Sequence, residues 1–225
     1  MADSVAAVAA LDEPNRRRLY DFVVRQNAPI SKDEAARAVE LPRTTAAFHL
    51  DKLVELGLLS VVHERRSGRS GPGAGRPAKL YRRSGEQIAV SLPDRRYEAA
   101  SHLLADALAE SETTGEPARE VLNRRAYEWG SDLAARASGD VAEALADLGF
   151  EPRAEGGSIL LGNCPFHSLA QRHTRLVCGM NLCLVSGLLD GIGADGASAR
   201  LAPSPGHCCV RLDQTPSSRS PSVSR

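Results

Sequence analysis

The sequence predicts an α+β, mostly helical fold: an N-terminal winged helix-turn-helix, a helical dimerisation segment and a C-terminal α+β sensor domain that bears cysteines. Two observations support this prediction. Helical patterns with a tight turn and a hairpin fill the front of the 225-residue chain, and all five cysteines lie between Cys164 and Cys209. Agreement among independent local signals strengthens such a prediction. We expect a leader at 1–10, the winged helix-turn-helix at 11–95, the helical segment at 96–148, the sensor domain at 149–213 and a disordered tail at 214–225.

Start and stop signals predict three helices in the front domain, behind a frayed or loosely helical leader. An acidic residue followed by Pro14 opens the first helix. Ser31 with Glu34 three positions later forms a capping box for a short second helix over residues 32–39. The third helix runs from Arg43 to about residue 56, where Gly57 stops it.

Two β-rich stretches, residues 58–64 and 78–83, follow the third helix and flank a loop rich in Gly and Arg. Helix, helix, helix and hairpin in this order are typical of a winged helix-turn-helix. Between residues 43 and 83, basic residues outnumber acidic ones nine to three, although the whole chain has a formal net charge of zero. This asymmetry favours a nucleic-acid surface on the front domain, with a merely solvated basic loop as the alternative.

The third helix has an apolar face at residues 46, 50, 53 and 54 and an opposite polar face that carries Phe48. An aromatic side chain on a polar face fits a contact with a thymine methyl group or a sugar in the major groove. His49, at the edge of this face, could reach a phosphate or be structural. The wing arginines and Lys79 would contact phosphates or the minor groove. The candidate DNA-binding residues are Arg43, Thr44, Thr45, Phe48, His49, Lys52, Arg65, Arg66, Arg69, Arg76 and Lys79.

Behind the front domain, helical patterns cover residues 97–110, 117–137 and 140–148. A long helix between a DNA module and a sensor is commonly a dimer seam, and packing within its own chain is the alternative. A strand at 157–162, a helix at 168–189 and strands at 199–201 and 208–212 are expected in the sensor domain.

The cysteines predict a thiolate centre for a soft metal or cluster. On a helix, Cys183 is rotated by about 140° from Cys178, so both cannot easily ligate one compact centre. Adjacent residues of a strand point to opposite faces, which favours only one of the pair Cys208 and Cys209. The candidate ligands are Cys164, Cys178 and Cys208, with Cys209 as the alternate for Cys208 and His167 or Cys183 as a fourth ligand. Long, irregular spacing favours an iron–sulfur cluster over zinc.

Several motifs resemble the winged-helix repressors of iron–sulfur assembly operons, a branch near the arsenical-repressor-like superfamily. They are Thr45-Ala-Ala-Phe-His-Leu-Asp-Lys-Leu, Gly75-Arg-Pro-Ala-Lys-Leu-Tyr, Asn163-Cys-Pro-Phe-His, Leu176-Val-Cys-Gly-Met-Asn and Pro205-Gly-His-Cys-Cys-Val. The resemblance implies a homodimeric repressor of cluster-assembly genes that binds double-stranded DNA at an inverted repeat. It also implies a [4Fe-4S] cluster, or alternatively [2Fe-2S], on Cys164, Cys178 and Cys208 or Cys209.

Other functions remain as alternatives. One is a winged-helix regulator that responds to zinc, haem or thiol oxidation without an iron–sulfur cluster. Another is an enzyme with Cys164 as nucleophile and His167 or His173 as base, but no orienting Asp motif accompanies these residues, so we expect no enzyme. Apolar runs stay short of the roughly 18 residues of a membrane span. We therefore expect a cytoplasmic protein with no membrane partner.

Overall fold

The computed structural model of the chain describes residues 2–64, 77–136 and 140–214. The chain divides into two compact units, Met1–Val90 and Ser91–Arg225. Each unit has its own hydrophobic core. The helical segment and the cysteine-bearing segment, which the sequence analysis separates, lie together in the second unit.

The first unit consists of helices around a small antiparallel sheet. Its strands lie in the order β1-β3-β2, and β2 pairs with β3 from Leu59 opposite Arg83 to Glu64 opposite Ala78. The last three of its four helices, followed by a hairpin, match the predicted order of elements, and a further helix precedes them. The elements are α1 (Ala2–Ala10), α2 (Pro14–Val24), β1 (Ile30–Ser31), α3 (Lys32–Ala38), α4 (Arg43–Glu55), β2 (Leu59–Glu64) and β3 (Ala78–Arg83).

The predicted caps are present in the first unit. The Glu13 carboxylate accepts hydrogen bonds from the backbone N–H groups of Asn15 (3.2 Å) and Arg16 (2.6 Å) at the start of α2. Ser31 and Glu34 form the capping box of α3. Both caps satisfy backbone donors that have no partner inside the helix.

The core of the first unit lies between its helices and the sheet. Leu19, Leu50 and Leu53 are fully buried, and Tyr81 of β3 is 2% exposed. The leader contributes to this core as helix α1, because Ala7 is buried in it. Small side chains such as alanine let a helix lie close to its neighbours.

The second unit combines helices with a four-stranded antiparallel sheet in the order β4-β5-β7-β6. The sheet and the helices enclose one continuous core that contains Cys164 and Cys208. The elements are α5 (Tyr97–Thr114), α6 (Ala118–Ala134), α7 (Val141–Asp147), β4 (Pro152–Glu155), β5 (Ser158–Leu161), α8 (His167–Arg172), α9 (Thr174–Ile192), β6 (Ala197–Leu201) and β7 (Val210–Gln214).

Helices α6 and α9 make the most extensive contact of the second unit. A Cβ atom on Gly130 would lie 2.1 Å from the backbone oxygen of Leu184, and one on Gly187 would lie 2.0 Å from that of Tyr127. Only glycine permits this approach of two backbones. Helix α6 therefore packs against another helix of its own chain. The sequence had left this arrangement open as the alternative to a dimer interface.

Helix α9 is long and apolar enough, by length and composition alone, to cross a membrane. A run of this length and apolar character was not predicted from the sequence. In the structure, residues such as Leu184, Val185 and Leu188 of α9 are buried in the core of the second unit. Its apolar character is therefore that of a core helix.

Three details differ from the predicted elements of the second unit. The predicted helix over 168–189 is split at His173, whose backbone (φ −128°, ψ 47°) lies outside the helical region and interrupts the hydrogen-bond ladder. Strand β4 was not predicted; its Pro152 begins an edge strand, where a missing N–H is tolerated. Strand β7 begins at Val210 and includes Gln214, so Cys208 and Cys209 precede the strand.

Candidate functional site

The candidate nucleic-acid surface is the exposed face of α4. Thr44 is exposed, and the Phe48 side chain is 65% exposed, with its ring against the edge of His49 at a centroid distance of 5.4 Å. On the opposite face, Ala46, Leu50 and Leu53 are fully buried. The helix thus has the two faces that its sequence predicted.

The cations of this surface have acidic neighbours on the same unit. The Arg43 guanidinium lies 2.5 Å from Asp33, and the Lys52 ammonium lies 2.8 Å from Glu55. Exposed pairs of this kind contribute little to stability, so these cations remain available to exchange partners with phosphate. Thr45 is partly buried. The other wing residues predicted to bind DNA, Arg65, Arg66, Arg69 and Arg76, lie outside the described residues.

Asp51 connects α4 to the wing, and sequence reasoning missed it. Its carboxylate accepts hydrogen bonds from the Lys79 ammonium (2.5 Å) and the Tyr81 hydroxyl (2.7 Å), both on β3. Burial acts to raise the pKa of Asp51, but these two donors outweigh burial and hold that pKa below its ordinary value. Lys79, a predicted phosphate contact, is therefore anchored to α4.

His49 is 8% exposed, and its Nδ1 lies 3.6 Å from the Glu13 carboxylate. Burial acts to raise the pKa of Glu13, but the backbone donors of the α2 cap and the nearby His49 together lower it. Burial next to a helix-capping carboxylate fits the structural role for His49. A phosphate contact by His49 stays a prediction.

Four of the five cysteine thiols lie close to one another in the second unit. Cys164 lies in the loop after β5, Cys178 in α9, and Cys208 and Cys209 just before β7. The thiol of Cys208 interacts with those of Cys164 and Cys209, and the thiol of Cys178 interacts with that of Cys209. Cys164, Cys178 and Cys208 are buried. The fold thus brings together the three predicted ligands and the alternate.

The pKa values of the Cys164, Cys178 and Cys208 thiols are raised. The neighbouring Cys208 thiol and burial raise the pKa of Cys164, and burial raises that of Cys178. Interaction with Cys164 acts to lower the pKa of Cys208, but Cys209 and burial outweigh it and raise this pKa to about 11. Without a bound cation, the thiols of Cys164, Cys178 and Cys208 are therefore protonated at neutral pH.

Cys208 and Cys209 lie directly before β7, and the backbone of this segment is hydrogen-bonded on both sides. The N–H of Cys208 donates to the Leu161 carbonyl (2.8 Å), and the Cys209 carbonyl accepts from the N–H of Ala202 (2.8 Å). Cys208 is buried and Cys209 is partly buried, and the choice between them as the ligand stays a prediction. Both thiols are placed beside the other cysteines.

His167 and Cys183, the two suggested fourth ligands, stay predictions, although the N–H of His167 donates to the Cys164 carbonyl (3.1 Å). Helix α9 runs unbroken through Gly179, so Cys183 stays rotated away from Cys178, and burial alone raises its pKa. His167 is exposed at the start of α8. Within residues 2–64, 77–136 and 140–214, no three His, Cys, Asp or Glu side chains form a ready-made site for a single metal ion.

Two asparagines support the cysteines, and sequence reasoning assigned neither a role. Asn181 of α9 is 1% exposed, and its Nδ2 donates a hydrogen bond to the Sγ of Cys208 (3.1 Å). Asn163 is 7% exposed and precedes Cys164 directly. Asn163 adjoins Cys164, and Asn181 is three residues after Cys178 in the same motif. Their positions in the cysteine motifs could therefore have suggested a supporting role.

Comparison with known protein families matches residues 11–62 to a helix-turn-helix domain. The chain carries a helix-turn-helix domain, which implies binding to DNA. Such domains are typical of transcriptional regulators, which are usually not enzymes, and they imply a location in the cytoplasm or nucleoid. The match spans α2, β1, α3, α4 and the start of β2. Comparisons with curated proteins and with solved structures find no match.

Proposed function

We propose that this protein is a homodimeric transcriptional repressor whose affinity for an inverted-repeat operator depends on an iron–sulfur cluster held by its cysteines. The observation that carries the proposal is the gathering of four thiols from three separate segments, in a chain that begins with a DNA-binding domain. The expected cluster is [4Fe-4S], with [2Fe-2S] as the alternative. The target genes would be those for iron–sulfur assembly.

The donor set fits such a cluster chemically. Thiolates are the usual ligands of iron–sulfur clusters, and Cys164, Cys178, Cys208 and Cys209 supply up to four of them. The hydrogen bond from Asn181 to Cys208 is an outer interaction of the kind that tunes such centres. When bound, a cluster supplies sensitivity to oxidants and to iron supply. Ligation requires ionised thiols, so binding would release the protons that Cys164, Cys178 and Cys208 otherwise keep.

The protein's own part in the response is to order three segments relative to one another. The loop after β5, the second turn of α9 and the segment before β7 each contribute a thiol. Ligation of all three segments fixes their spacing, and loss of ligation leaves weaker contacts between them. A difference of about 1–3 kcal/mol in operator affinity between the two states is typical of such coupling.

Anaerobic purification with a visible spectrum and with iron and sulfide analysis tests this proposal. Serine in place of Cys164, Cys178 or Cys208 should remove most of the iron, because each variant leaves an incompletely held cluster. Cys183→Ser on the same helix is the matched control and should keep the iron. Cys209→Ser decides between a three-cysteine and a four-cysteine site. A colourless wild-type protein without iron or sulfide would refute the cluster.

A second candidate is a metal-free thiol switch, which the neighbouring thiol pairs favour. Two thiols and one hydrogen peroxide molecule would give one disulfide and two water molecules. Mass spectrometry of peroxide-treated, iron-free protein separates the candidates. A disulfide that changes DNA affinity as much as reconstitution with iron and sulfide would support the thiol switch instead.

A further inference from the structure

The loop that carries Cys164 is hydrogen-bonded to the first residues of the second unit. The DNA-binding unit ends at Val90, and only three residues separate it from residues 94–97. Residues 163–168 form the loop and the start of α8 around Cys164. We refer to the contacts between residues 94–97 and residues 163–168 as the clasp.

Asn163 is the centre of the clasp. Its Nδ2 donates to the carbonyl oxygens of Asp94 (3.0 Å) and Gly149 (2.6 Å), and its Oδ1 accepts a hydrogen bond from the Arg95 guanidinium. The amide is buried, and both of its ends are used. A buried amide that is satisfied in this way holds its partners firmly, because leaving it unpaired is costly.

Arg95 ties the clasp directly to the cysteine. Its Nη1 also donates to the backbone carbonyl of Cys164 (3.0 Å). Two further bonds continue the contact along both segments: the N–H of Arg96 donates to the Pro165 carbonyl (3.0 Å), and the N–H of Ser168 donates to the Tyr97 hydroxyl (3.3 Å). Every residue from 94 to 97 therefore bonds to the loop.

We infer that Arg95 and Asn163 are positioning residues that transmit the state of the cysteines to the chain leading into the DNA-binding unit. This inference rests on the proposed function. A change in the backbone at Cys164 acts on Arg95 and, through the adjacent Asn163, on Asp94. The clasp thereby supplies the shared element that allosteric coupling between two sites requires.

The test measures coupling as the ratio of two dissociation constants, that of the cluster-free protein divided by that of the cluster-loaded protein. The probe is a DNA duplex enriched from a random-sequence pool by the loaded wild-type protein. The wild-type ratio should lie at about 5–150. Arg95→Ala removes the donor to Asn163 and Cys164 but leaves both amide donors of Asn163 in place. It should keep the iron and lower the ratio to less than about 3, on the same scale.

Arg153→Ala is the matched control, because it removes an exposed arginine of the same unit that pairs with Glu151 (3.4 Å). It should keep both the iron and the wild-type ratio. If Arg95→Ala keeps its iron together with the wild-type ratio, the clasp is not the route of coupling. If the wild-type protein itself shows a ratio of one, the proposed regulation fails, and the clasp fails with it.

Hydrogen exchange on the wild-type protein provides a second measurement in case Arg95→Ala loses its iron. The Arg96 amide is itself a donor in the clasp, so its exchange rate reports the contact without a substitution. Removal of the cluster should speed exchange at residues 94–97 at least about tenfold, while the buried middle of α9 changes little. Equal rates at residues 94–97 in both states would overturn the inference.

Discussion

Helices α4 and α9 carry residues of the two candidate sites, but they divide the tasks of folding and function differently. Helix α4 buries Leu50 and Leu53 completely and leaves Phe48 65% exposed. Helix α9 buries nine of its 19 residues, and Cys178 and Asn181 are among the buried ones. On α4, binding and folding can therefore be changed separately. On α9, a change at the site is also a change in the core.

The largest expected effect is a difference in stability between substitutions on the buried and the exposed face of α4. Leu50→Ala should lower the free energy of unfolding by about 2–5 kcal/mol, because it leaves a cavity in the core of the first unit. Phe48→Ala should change it by no more than about 0.5 kcal/mol, because the ring is mostly in solvent. Phe48→Ala should nevertheless alter sequence preference in DNA selection from a random pool.

Urea unfolding of the two α4 variants measures the difference. A loss of stability in Phe48→Ala as large as in Leu50→Ala would mean that the ring belongs to the core. An unchanged sequence preference in a stably folded Phe48→Ala variant would remove Phe48 from the candidate DNA-binding residues.

The next effect concerns the close approach of α6 and α9. Gly187→Ala should destabilise the second unit by at least about 1–3 kcal/mol, since the new methyl group meets the backbone of Tyr127. Gly179→Ala on the same helix is the matched control, because its nearest contact, to the Asn123 side chain, is an ordinary 3.7 Å. It should be neutral or stabilising by up to about 1 kcal/mol.

Thermal or urea unfolding of both glycine variants measures this contrast. Equal stabilities of Gly187→Ala and the wild-type protein would show that the helices separate easily. In that case, α6 would not be firmly packed within its own chain.

The smallest expected effect is the pH dependence that Asp51 adds to the stability of the first unit. The folded pKa of Asp51 lies below its ordinary value of 3.8, mainly because Lys79 and Tyr81 overcome the opposing effect of burial. The contribution of the carboxylate to stability is therefore present above about pH 4 and is lost as the pH falls through the folded pKa. The side chain is 53% exposed, so this contribution should stay below about 1 kcal/mol.

Asp51→Asn tests this contribution. The variant should be slightly less stable than the wild-type protein at neutral pH, and the two should converge as the pH falls from about 5 to 2. Urea midpoints across this range measure the convergence. A constant difference between the two proteins at every pH would assign the effect of the substitution to packing instead of charge.

The first unit shows how far local signals reach. The capping box at Ser31, the start of α4 at Arg43 and the strands on either side of the wing lie close to their predicted positions. The two-residue strand β1 was not predicted from the sequence. It forms only by long-range pairing with β3, and two residues are too few to show a strand pattern. His49 lies close to Glu13, which caps another helix, and the spacing of residues on α4 does not reveal this contact.

The sequence by itself determined the DNA-binding domain, the two faces of α4 and the segments that carry the cysteines, because caps, helical periodicity and motifs are local properties of the chain. Only the tertiary structure decided that the thiol of Cys209 lies beside those of Cys178 and Cys208, that Asp51 anchors Lys79, and that Asn163 holds residues 94–95. These contacts join positions up to 69 residues apart in the chain. Such pairings arise when helices and sheets pack around a common core, and the pattern within any one element does not specify them.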